Sequence, residues 1–135
     1  MKLLLPFAAL SMAVSAGASI AGTYSGNWPV TVTRSQYANG TYCVTLTNDG
    51  SIGWPHSGEA LLVSKTTGTL YGTFQLIAHL LTVTIEDPGE SGQNAGLVFV
   101  AHAANGNIGK GIYDEVYGGE EFDSGEVAFG TKGGC

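Results

Sequence analysis

Positive charge is scarce in this chain. Five Lys plus Arg stand against eleven Asp plus Glu, and the formal net charge is -6 at pH 7. Five dispersed cations cannot build the basic patch that a nucleic-acid-binding surface requires, so that class of partner is excluded. Charge of either sign is sparse, at 12% of residues, about half the usual ~25%. Heptads of Ala, Glu, Lys and Leu are missing, which removes the coiled coil. A disordered chain is excluded from the opposite side, because 44% hydrophobic content is enough to bury a core. Catalytic signatures are absent too. The three histidines, His56, His79 and His102, show neither a His-x-His nor a His-x3-His spacing, and no Gly-x-Ser-x-Gly elbow occurs. The expectation is therefore a non-enzyme, with no metal and no cofactor.

What is plentiful is glycine, 21 residues of 135, and a period-2 hydrophobic pattern. Residues 1–18 form a separate unit. Lys2 precedes an apolar run from Leu3 to Val14, and small residues follow at Ser15-Ala16-Gly17-Ala18. This is the layout of a secretory signal peptide. It predicts a secreted or periplasmic protein, with no membrane association once the segment is removed. Residues 19–135 are then one domain.

Within that domain, apolar and polar residues alternate in runs separated by turn residues, which is the strand signature. Trp28, Val30 and Val32 alternate with Pro29, Thr31 and Thr33; Tyr42, Val44 and Leu46 follow after Asn39-Gly40. Further runs cover Glu59–Lys65, Thr69–Ile77, Leu81–Ile85, Leu97–Val100, Ile108–Tyr117 and Phe122–Thr131. Ser51 to Ser57 reads as a loop. Eight strands with short connections favour antiparallel neighbours. Their edges must be hidden, and closure into an all-β, eight-stranded up-and-down barrel hides them all. Threonine-rich faces suit the outside of such a wall. Trp28, Tyr42, Phe74 and Phe99 share faces with aliphatic neighbours and read as core.

Cys43 and Cys135 are the only cysteines, and an even count in an exported chain predicts one disulfide. The simple meander resists it. The last strand should end near the start of the first, whereas Cys43 lies early in the second, toward the opposite rim. A four-residue tail reaches at most ~14 Å, against ~23 Å for a seven-residue strand. The bond therefore demands offset strands, a tail folded back along the wall, or another strand order.

Gly26-Asn27-Trp28 opens the first strand of this eight-stranded pattern. It resembles the calycins, the lipocalins and avidins, whose first strand often carries Gly-x-Trp. The resemblance implies a barrel with Trp28 packed across one end and a small apolar or amphipathic ligand inside. The lipocalin Thr-Asp-Tyr segment is missing, and the sole arginine, Arg34, follows the first strand rather than the last.

Two further features concern binding. In the seventh strand one face reads Ile108, Lys110, Ile112 and the other Gly109, Gly111, Tyr113, Glu115, Tyr117. If the glycine face points inward, Tyr113 and Tyr117 line a cavity closed at its far end by Trp28, and leucine at Gly111 fills the space while leaving the fold intact. A cavity of roughly 300 Å³ or more supports a ligand, whereas a filled barrel supports a protein-interaction or inhibitor module acting through its rim loops. Trp54, in Trp54-Pro55-His56, is then the candidate contact for a protein partner. Lastly, Asp114, Glu115, Glu120, Glu121, Asp123 and Glu126 crowd the last two strands. The pattern reads as a solvated acidic hairpin; calcium is the sharper alternative, although no Asp-x-Asp-x-Asp-Gly loop is present.

Overall fold

The computed structural model describes residues 24–48, 56–64, 68–87 and 95–135. The expected leader (1–18) and Trp54 lie outside the described residues. Eight strands follow one another: β1 (Gly26–Thr33), β2 (Gly40–Asn48), β3 (His56–Ser64), β4 (Gly68–Ile77), β5 (Leu80–Asp87), β6 (Ala95–Ala104), β7 (Asn107–Tyr117) and β8 (Glu120–Phe129). Each pairs antiparallel with its sequence neighbours, and β8 returns to β1 to close the barrel. The up-and-down barrel expected from the alternation is thus the observed fold. His56 belongs to β3 rather than to the preceding loop.

The wall is built as the alternation dictates. Val30, Val32, Val44, Leu46, Leu62, Leu76, Val83, Ile85 and Phe99 point inward and are buried. Thr31, Thr33, Thr41, Thr47, Thr73 and Thr84 face outward. Two turns have the left-handed backbone of tight hairpins: Asn105-Gly106, with φ of 55° and 78°, and Gly118-Gly119, with 61° and 86°.

Irregularities in β7 and β8 decide what faces the interior. Ala101 pairs with Gly111 but Ala103 pairs with Ile108, so β7 carries one extra residue there. A bulge of this kind flips the alternation. Ile108 and Tyr113 are consequently both buried, although they stand on opposite faces of a regular strand, and Ile112 is 54% exposed. Gly111 shares the inward parity of Tyr113, but it leaves no void. A Cβ there would meet the Val100 carbonyl oxygen at 1.8 Å and the Ala101 Cα at 2.7 Å. The expectation that leucine fills a space at this position is therefore wrong. The space is occupied by the neighbouring strand, and any side chain would push β6 and β7 apart. A second bulge lies in β8, where Glu115 pairs with Asp123 and Val116 with Glu121, leaving Phe122 as the extra residue.

The disulfide forms, with Cys43 and Cys135 Cα atoms 6.0 Å apart. Offset strands resolve its geometry. Phe129, the last residue of β8, pairs with Val30 rather than with the start of β1. Gly26 to Pro29 therefore lack a strand on that side, and the tail takes the position. Gly130 N–H donates to the Pro29 carbonyl at 2.7 Å, and Gly133 N–H donates to the Asn27 carbonyl at 2.7 Å. Cys43 is the β2 partner of Pro29, so the tail crosses one strand to reach it. The bond staples the shortest seam of the barrel. Closing a loop with a sequence separation of 92 is worth about 4–5 kcal/mol in the chain-entropy model. A disulfide of this kind suits an oxidising compartment.

Candidate functional site

Hairpin connectivity gives the barrel two unlike ends. At one, Tyr24, the start of β1 and the Asn105-Gly106 turn come together. Trp28 is buried there, with its ring 6.4 Å edge-on from Phe129. Its indole N–H donates to the Tyr24 carbonyl at 2.9 Å, and the Gly106 amide donates to the Tyr24 hydroxyl at 3.2 Å. Both polar groups of the plug have hydrogen-bond partners, and among the described residues this end is filled by side chains. The packing of Trp28 across one end agrees with what Gly-x-Trp implies, but the residue belongs to the plug and does not line the cavity at the other end.

Among the described residues, the other end is open. A cavity of about 230 Å³ sits in its mouth. Phe99 and Tyr113, paired across β6 and β7 with ring centroids 5.5 Å apart, form its inner end. Tyr42, Leu62, Leu97 and Glu115 line the sides, and Tyr37, Ala38, Asn39 and Phe122 the lip. Larger hollows, such as one of about 540 Å³ over Thr73, Thr82 and Thr84, are shallow grooves on the outer wall. Of the four residues expected to contact a ligand or partner, Tyr113 alone lines the mouth cavity. Trp28 is at the opposite end, and Trp54 lies outside the described residues. Tyr117 sits at the rim, 40% exposed, with its ring 6.0 Å from Phe122.

The lip is held by a carboxylate. Asp123 is buried at the start of β8 and accepts from the Gln36 and Tyr37 amides, each at 3.1 Å, and from the Ser35 hydroxyl. Ser35 Oγ in turn accepts from the Ala38 amide at 2.9 Å and the Tyr37 amide at 3.2 Å. Burial alone would raise the Asp123 pKa, but these hydrogen bonds to the charged form outweigh it and hold the carboxyl below the usual range. The β1–β2 loop is thereby fixed over the mouth with the Tyr37 ring stacked on Phe122, centroids 4.8 Å apart. Tyr37 and Phe122 are 64% and 50% exposed. The three rim rings thus form a continuous aromatic edge.

Inside, Tyr113 Oη donates to Glu115 Oε2 at 3.0 Å, and Tyr42 Oη donates to the Ala38 carbonyl at 2.8 Å. Both phenols have raised pKa values. Burial is the main cause, followed by the negative charges of Glu115 and Asp123; for Tyr113 the hydrogen bond to Glu115 adds to it. Both therefore stay protonated as donors at neutral pH. The acidic hairpin is not uniformly solvated: Glu115 lines the cavity and Asp123 is buried beneath the lip. Among the described residues, no three of His, Cys, Asp and Glu gather closely enough to hold a metal ion.

Sequence reasoning missed Tyr37 and Phe122. Phe122 owes its position to the β8 bulge, which alternation does not reveal. Tyr37 is placed by Asp123, 86 residues away in the chain. No protein-family model, no curated protein and no solved structure matches the chain.

Proposed function

We propose that this is an exported, non-catalytic binding protein of calycin type, which takes a small ring-bearing molecule into the open mouth of its barrel. The observation that carries this reading is the cavity itself: five aromatic residues, Tyr37, Tyr42, Phe99, Tyr113 and Phe122, line one half-open space. Ligand sites are concave, largely apolar and lined by a few convergent polar atoms. Here polar groups come from Glu115, Asn39, Ser64 and the tyrosines. Asp123 supplies rigidity, which lowers the ordering cost of binding.

A second reading is favoured by size. The volume of about 230 Å³ falls below the ~300 Å³ at which ligand pockets usually begin. A mouth of this size with exposed rings at its rim also suits one anchoring side chain of a protein partner. Such anchors can carry on the order of 2 kcal/mol or more.

Isothermal titration with benzyl alcohol and benzylamine distinguishes the two. The ligand reading predicts saturable 1:1 binding of at least one probe, weakened about tenfold by Tyr37→Ala or Phe122→Ala. Absence of binding by both probes at millimolar concentration would contradict it and leave the rim reading in place.

A further inference from the structure

We propose a metal site on the outer wall near the closed end, in which the imidazoles of His79 and His102 bind one divalent transition-metal ion, with Cu²⁺ preferred. The two rings come from neighbouring parts of the wall. His79 follows Ala78 in the turn between β4 and β5, and His102 stands on β6 opposite Leu80, shortly before the Asn105-Gly106 turn. Ala78 has the left-handed φ of 54° that lets so short a turn set His79 across from β6. The two ring centroids lie 5.5 Å apart, and both residues are exposed. An ion about 2.0–2.1 Å from one nitrogen of each ring sets the centroids roughly 5–6 Å apart, so the pair already stands at the spacing of two ligands on one metal.

His79 is held as a ligating histidine usually is. Its Nδ1–H donates to the Ala103 carbonyl at 3.2 Å, and the Ala103 amide donates to the His79 carbonyl at 2.8 Å. A carbonyl oxygen only accepts, so this bond keeps the proton on Nδ1 and leaves the Nε2 lone pair for a metal. A backbone carbonyl on the other ring nitrogen is the common way to orient a metal-bound imidazole. Among the described residues, the His102 ring has no hydrogen-bond partner. No third His, Cys, Asp or Glu joins the pair among the described residues, so water completes the coordination. Two neutral nitrogens without a carboxylate do not suit calcium or magnesium, which take oxygen ligands. They suit Cu²⁺, which heads the affinity order of the divalent ions at such sites. The chain's net charge of -6 draws cations toward its surface. The missing His-x-His spacing does not bear on this pair, because strand pairing and not chain proximity brings it together.

The test titrates the untagged, disulfide-bonded protein with Cu²⁺, followed by calorimetry and by electron paramagnetic resonance. Saturable binding at micromolar Cu²⁺ is expected, tighter than that of Zn²⁺, with a spectrum split by two imidazole nitrogens. His79→Ala and His102→Ala should each weaken it about tenfold or more and leave one coupled nitrogen. The double variant should lose little beyond either single one, because one remaining imidazole is no longer a chelate. Circular dichroism checks that the variants keep the fold. No binding at micromolar Cu²⁺, an affinity that neither substitution changes, or a loss confined to one of the two would overturn the proposal. If a variant does not fold, the wild-type spectrum decides alone: coupling to a single nitrogen, or to none, contradicts the site. None of these outcomes bears on the aromatic mouth, which lies at the other end of the barrel.

Discussion

The two ends of this barrel use the same residue types to opposite effect. At the closed end, Trp28, Tyr24 and Phe129 bury their rings, and the indole N–H and the Tyr24 hydroxyl spend their hydrogen bonds on backbone. At the open end, Tyr37, Phe122 and Tyr117 keep much of their ring surface in water, the buried Asp123 holds the Tyr37 amide, and the Tyr113 hydroxyl donates to the half-buried Glu115. The difference teaches that aromatic content alone does not mark a site. What marks it is rings held rigid yet left uncovered, with a charge beside them.

Substitutions should therefore separate the two ends. The largest effect is expected at the plug. Trp28→Ala removes a fully buried ring and should destabilise by about 3–5 kcal/mol, seen in chemical denaturation, while the folded fraction retains its mouth affinity. Cys135→Ser releases the tail from the β1 edge. It should cost about 2–4 kcal/mol, with β1–β8 amides gaining the most hydrogen exchange.

Asp123→Ala comes next, at about 1–3 kcal/mol, because it removes the acceptor of the Gln36 amide and the Ser35 hydroxyl and one of the two acceptors of the Tyr37 amide. Here pH gives an independent check. The folded-state pKa of Asp123 is depressed, so its stabilisation is fully present above the unfolded value of about 4. It is lost as pH falls through the lower folded value. Thermal melts should show a steeper acid-side loss in wild type than in Asp123→Asn. The smallest stability effects belong to the rim. Tyr37→Ala and Phe122→Ala should cost less than about 1 kcal/mol, yet they should weaken probe binding most.

The strands, the Asn105-Gly106 and Gly118-Gly119 turns and the Cys43–Cys135 pairing were legible because each rests on local chemistry: alternation, left-handed glycine turns and an even cysteine count. The inward orientation of Tyr113 was one of two open alternatives, since the bulge between Gly111 and Ile108 buries members of both faces. The cavity was expected beside Gly111 and lies above Tyr113 instead, because close approach of β6 fills the glycine's space. The lip was illegible for a different reason. Its anchor, Asp123, is distant in sequence from Ser35, and it sits within a run of acids that looks uniformly solvated.

Two-dimensional NMR of the protein titrated with benzylamine tests the central claim most directly, namely that the open aromatic mouth is where binding occurs. Shift changes should gather on Tyr37, Ala38, Phe99, Tyr113, Glu115 and Phe122, while the indole N–H of Trp28 stays unmoved. Changes centred on Trp28 and Tyr24, or none at saturating probe, would contradict it.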